Sequence, residues 1–172
     1  MKKNVISKVL SATVILAFLC APLSLNAQAG KANFAGKWAF NAQKSNLGES
    51  QGGRMMGGGN FTATQEANLL TVERTRTNQD GESVTTTSKY TLDGKESVNS
   101  TGRGESKSIA TWSPDGKTLT IATTRSFERD GQTMEFKSTE VWSLTSPNTL
   151  QIVNTMTTPN GERKTTMVYD KQ

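Results

Sequence analysis

The sequence predicts an all-β protein, an antiparallel up-and-down meander of eight to ten strands closing into a barrel, and three observations predict it. Turn dipeptides recur at Asp80-Gly81, Asp93-Gly94, Asp115-Gly116, Asp130-Gly131 and Asn160-Gly161, and Ser146-Pro147-Asn148 divides the longest interval. Threonine is abundant between the turns. Apolar residues recur at every second position, with no helical spacing. Consecutive hairpins with one apolar face bury it either in a β-sandwich, the alternative, or in a closed barrel, and near-sequential hairpins favour the barrel.

The first 29 residues stand apart. MKKNVISK is a basic start, VLSATVILAFLC an apolar run, and SLNAQA supplies the small residues that precede a cleavage site. Ser11 and Thr13 interrupt the run and Pro22 stops it, so a secretory signal peptide over residues 1–29 is expected, not a membrane helix. Such a signal sends the protein to the periplasm or the extracellular space. Its removal takes away Lys2, Lys3, Lys8 and the single Cys20, and lowers the formal charge from +5 to +2.

Residues 30–172 are then one domain with neither thiol nor imidazole, since the chain has no histidine. That composition rules out disulfides, thiolate zinc sites and Ser-His-Asp or Cys-His catalysis. No metal and no cofactor are expected. Nucleic acid is not an expected partner either, because no Lys/Arg stripe interleaved with aromatics survives the cut.

Strands are expected at 34–41, 60–66, 69–78, 83–92, 105–112, 118–128, 132–144, 149–158 and 162–170. Residues two apart share a face. A two-residue turn at Asp130-Gly131 sets Phe127 opposite Met134, Arg125 opposite Phe136, Ile121 opposite Glu140 and Leu119 opposite Trp142, so the apolar sets meet. A four-residue loop, 114–117, sets Trp112 opposite Leu119 and Ala110 opposite Ile121. At Asp80-Gly81 a three-residue loop is expected, pairing Leu70 with Leu92 and Val72 with Tyr90. The opposite faces carry Thr118, Thr120, Thr124, Glu135, Lys137 and Thr139, so the barrel is not expected to be embedded in a membrane, where that band would be apolar.

The segment FAGKWAFNAQKS, residues 34–45, resembles the Gly-x-Trp opening of lipocalins and the wider calycin group, here Gly36 and Trp38. With LLTVERT, YTLDGKE, WSPDGKTLTI, STEVWSL and MVYDK, the chain is similar to small exported bacterial lipocalin-like proteins of unassigned function. The resemblance implies an up-and-down barrel with Gly36 and Trp38 as the structural plug of one end. It also implies that the Gly-rich stretch within residues 48–60, GGRMMGGGN, is the long first connection arching over the barrel mouth. A phosphate loop would need a following helix and a closing lysine, and a strand is expected from Phe61 instead. The stretch is read as a lid or as a simple link.

The inner face also carries polar groups. Arg74, Arg76, Arg125, Ser88, Ser138, Glu140 and Asn154 share parity with Val72, Tyr90, Ile121, Trp142 and Ile152. A buried charge is costly unless compensated, so these groups must pair, as Arg125 or Arg74 with Glu140, reach water at the mouth, or meet a ligand. In the ligand reading Trp38, Trp112, Trp142 and Tyr169 form a floor, and Arg74, Arg76 and Arg125 form a wall, with Tyr90, Phe136 and Glu140 beside them. The ligand is a small apolar or acidic molecule, such as a fatty acid. Glu135 falls on the outer face, so it forms no acid/base pair with Glu140, and no catalytic residue is assigned. The expected function is an exported small-molecule binding protein. The alternative is a protein-interaction or inhibitor module of the cell envelope.

Overall fold

A computed structural model of the protein describes residues 30–48, 59–77, 81–100, 104–129, 132–158 and 161–172. Among these residues the chain forms ten strands and no helix. They are β1 (Gly36–Phe40), β2 (Phe61–Gln65), β3 (Leu69–Thr77), β4 (Ser83–Thr91), β5 (Glu96–Ser100), β6 (Glu105–Trp112), β7 (Thr118–Arg129), β8 (Gln132–Ser146), β9 (Thr149–Thr158) and β10 (Gly161–Lys171). The antiparallel order β4-β3-β2-β1-β10-β9-β8-β7-β6-β5 seats the first strand between the second and the last.

The two ends of that order, β4 and β5, meet through side chains. Asn99 on β5 accepts the Lys89 N–H through Oδ1 at 2.7 Å and donates through Nδ2 to the Lys89 carbonyl at 3.0 Å. Its amide takes the place of a peptide group on a neighbouring strand. Ser97 Oγ accepts the Thr91 N–H at 2.8 Å. Each such bond contributes about 1 kcal/mol and, more important, leaves no buried donor unpaired. The sheet is therefore a nearly closed barrel and not a sandwich.

Alternation is clean on β6, where Ser106, Ser108 and Ala110 are buried while Glu105, Lys107, Ile109 and Thr111 are exposed. The β7–β8 register is the expected one, with Arg125 opposite Phe136, Ile121 opposite Glu140 and Leu119 opposite Trp142. On β6–β7, Trp112 faces Leu119 and Ala110 faces Ile121, as expected.

Two expectations are corrected. The β3–β4 pair sets Leu70 against Tyr90 and Val72 against Ser88, two residues away from the expected register. A shift of two keeps every side chain on its face, so hydrophobic alternation cannot detect it. Strand β5 was not expected at all. Its buried side chains, Ser97 and Asn99, are polar because they bond the β4 edge, so the usual apolar signal is absent.

The core occupies the barrel end that holds the 113–117 turn. Residues 30–35 run across that end: the Ala32 N–H bonds the Gly116 carbonyl at 2.8 Å, and Gln65 bonds both the Phe34 N–H (2.9 Å) and the Ala32 carbonyl (3.0 Å). This fastens Phe34 inward, fully buried, where burial of the ring contributes roughly 1.5–3 kcal/mol. Gly116 is required there, since its φ is +69° and a Cβ would lie 3.0 Å from the Gly30 carbonyl oxygen. No helix among the described residues is long and apolar enough to cross a membrane. Residues 49–58 of the Gly-rich connection lie outside the described residues.

Candidate functional site

The inner surface divides along the strands into a packed floor and an open half. In the floor, Phe34 stacks on Trp112 (centroids 5.8 Å apart, 6° between planes) and meets Trp142 edge-on at 5.7 Å. Phe61 bridges Trp142 (5.6 Å) and Tyr169 (4.9 Å) by edge contacts, and Phe40 closes on Tyr169 at 5.6 Å. Such offset and edge geometries match the positive ring edge to the negative face. Leu70, Leu119, Leu150 and Ile152 fill the remaining space and are fully buried.

The Gly-x-Trp motif belongs to this floor. The Trp38 indole N–H donates to the Phe34 carbonyl at 2.9 Å, and the Lys171 ammonium lies 5.5 Å from the Trp38 ring centroid. The lysine reaches that position by crossing Gly36, where a Cβ would stand 2.7 Å from Lys171 Cε, at a φ of +146° that disfavours side chains. The motif works because the glycine makes room for a cation on the tryptophan face.

Above the floor, successive rungs become polar. The rung Leu119–Trp142–Ile152–Met167 is buried throughout. The next is Ile121–Glu140–Asn154–Thr165, then Ser108–Thr123–Ser138–Met156–Arg163, then Ser106–Arg125–Phe136. Across the lumen the corresponding pairs are Val72–Ser88, Arg74–Thr86 and Arg76–Val84. Arg76 and Arg125 are exposed, as is Val84 at 51%, on the face that carries the floor lower down. The barrel is open here.

The charged groups do not pair as the sequence led us to expect. Glu140 accepts the Trp142 indole N–H at 2.9 Å, two residues along its own strand. Among the described residues no ion pair joins it to Arg74 or Arg125. Arg74 lies against Phe61, its guanidinium carbon 5.0 Å from the ring centroid, and its Nε is buried with no hydrogen-bond partner. The Ser108 and Thr123 hydroxyls bond each other at 2.9 Å.

The tyrosines register this field. Burial first, then the negative charge of Glu140, raises the Tyr90 phenol above its ordinary value, against the opposing pull of a Ser88 hydrogen bond and of Arg74 and Arg125. Burial pushes Tyr169 up to about 12, with Arg74 opposing and Glu140 adding to it. Glu140 and the arginines thus act electrostatically on one interior space.

Of the residues singled out in the sequence, Arg74, Arg76, Tyr90, Arg125, Phe136 and Glu140 do face the lumen of one barrel. Trp142 and Tyr169 are fully buried in ring contacts, and Trp38 is fully buried with its indole N–H on the Phe34 carbonyl, so these belong to the packed floor and not to a ligand shelf. Trp112 is half-buried against Phe34, with its indole N–H unpaired. Sequence reasoning passed over Val84, Met156 and Arg163, which the same parity rule places on the inner face. As expected, Glu135 turns outward, 3.1 Å from Lys137, away from Glu140.

On the outer face, hollows of about 420 and 360 Å³ lie beside Lys37, Thr62 and Glu73, and beside Glu96, Ile109 and Lys137. Near the second, Val98 and Ile109 are 55% and 45% exposed.

No family model matches the chain, and no curated protein matches its sequence. Its fold is similar to that of the zebrafish ileal bile acid-binding protein complexed with cholic acid, with a TM-score of 0.52 and 19% identity over 81% of this chain and 98% of that one. At this identity the likeness is one of fold, and it establishes the class as an all-β, nearly closed barrel of the lipocalin and calycin type.

Proposed function

We propose that the protein is exported through a cleaved signal peptide and binds a small acidic amphiphile in the open half of the barrel. The carrying observation is Arg74, a guanidinium with a buried, unpartnered Nε, in a lumen where Arg76 and Arg125 form no ion pair among the described residues. A ligand carboxylate satisfies that donor and offsets the cost of holding the cation away from water. Phe136, Met156 and Val84 offer apolar contact to the rest of the molecule. The fold neighbour's complex with cholic acid, itself an acidic amphiphile, supports the reading. The function is carriage and not catalysis.

Titration of the purified protein with oleate and with cholate, followed by tryptophan fluorescence, tests this. Saturable binding is expected, weakened roughly tenfold by Arg125→Ala and by Arg74→Met, because a hydrogen bond to a charged group contributes about 1.5–3 kcal/mol. Absence of saturable binding, or unchanged affinity in both variants, would overturn the proposal. A second reading, a protein-interaction module, is favoured by the exposed Val98 and Ile109 on the outer face. Native mass spectrometry of the protein from its own host separates the two by whether a small molecule or a polypeptide co-purifies.

A further inference from the structure

Glu140 is out of place in a lumen built to attract acids. Among the described residues it is the carboxylate that the strands set on the inner face, one rung above Trp142 and level with Asn154. Its charge opposes binding of an acid and is itself costly to hold in a half-buried position. Two ordinary explanations fall short. It forms no ion pair with Arg74, Arg76 or Arg125 among the described residues, so it is not there to neutralise them. It does satisfy the Trp142 N–H through Oε2, but a neutral glutamine oxygen also accepts that bond, so pairing the indole does not require a charge.

What the charge adds is a strong acceptor. One oxygen is engaged by Trp142, and a carboxylate has about four lone-pair sites, so acceptor capacity remains. The surroundings are consistent with a polar ligand surface at this height: Ser88, Thr123, Ser138 and Asn154 are half-buried on the lumenal face, and Ser108 is buried beside Thr123. Resting on the carriage reading above, we infer that Glu140 is a specificity-determining residue: it makes the lumen select acids that also carry a hydroxyl group, whose O–H donates to the carboxylate while the acid end meets the arginines.

The test compares acids that differ only in hydroxyls: cholate against hydroxyl-free 5β-cholanate, and 10-hydroxydecanoate against decanoate, each titrated into the wild-type chain and into Glu140→Gln. The wild type is expected to bind the hydroxylated member of at least one pair roughly tenfold tighter, since charge-assisted hydrogen bonds are about twice as strong as neutral ones. Glu140→Gln is expected to keep the melting temperature, tighten binding of the plain acid and reduce that preference to about threefold or less. A wild type that does not discriminate within either pair, or a folded Gln variant that keeps the full preference, overturns this inference and leaves carriage standing. If neither these four acids nor oleate binds, both fall. Should the Gln variant fail to fold, the wild-type ratios alone still decide.

Discussion

The two halves of this barrel are made by the same strands under the same alternation rule, yet one is solid and the other is open. Below the Ile121–Glu140 rung, the inward positions of β7, β8 and β9 carry large apolar or aromatic groups, and these interlock with their neighbours until no solvent reaches Trp142, Leu150 or Tyr169. Above it, inward positions on the same strands carry hydroxyls, amides and guanidinium groups, and exposure rises toward Arg76 and Arg125. Strand pairing determines which way a residue points. Side-chain chemistry determines whether that direction leads to a core or to a site.

The contrast can be broken most forcefully from below. Trp142→Ala removes the ring against which Phe34 and Phe61 pack and should cost about 3–5 kcal/mol in urea unfolding, whereas a loss under about 1 kcal/mol would mean that the floor is loosely filled. Next comes alkaline pH. Tyr169 ionises near 10.0 when unfolded and at about 12 when folded, so its contribution is complete below pH 10 and is lost as pH rises through 12. That difference corresponds to about 2–3 kcal/mol, and Tyr169→Phe should flatten the stability profile between those pH values.

Smaller again is Gly36→Ala, which strains a positive φ and pushes a methyl toward Lys171; about 1–3 kcal/mol should be lost, and Lys171→Ala in the same chain should recover the clash component alone. The smallest stability effect belongs to the open half. Arg125→Ala should leave the unfolding midpoint unchanged within about 0.5 kcal/mol, and a larger change would show that the mouth shares the structural work of the floor.

These differences also explain what could be read in advance. Period-two alternation identified the faces of β7, β8 and β9 and the β7–β8 register, because a one-residue slip there would turn Leu119 and Ile121 outward. It could not place the β3–β4 register, where a slip of two leaves Val72 and Leu70 inside, nor β5, whose inward residues are Ser97 and Asn99. In the site, parity brought Arg74, Arg125 and Glu140 into one lumen. It could not foresee that Glu140 would turn along its own strand to the Trp142 indole, because that choice depends on side-chain reach and not on periodicity.

The neighbourhood of β1 has a consequence in time. Trp38 pairs with Lys171 on one side and Phe61 on the other, and the Gln172 N–H bonds the Lys37 carbonyl at 2.9 Å. Strand β10 must therefore be synthesised before β1 can dock fully, and contacts spanning so much chain form slowly. Removing residues 163–172 would leave β1 with a bare edge on that side.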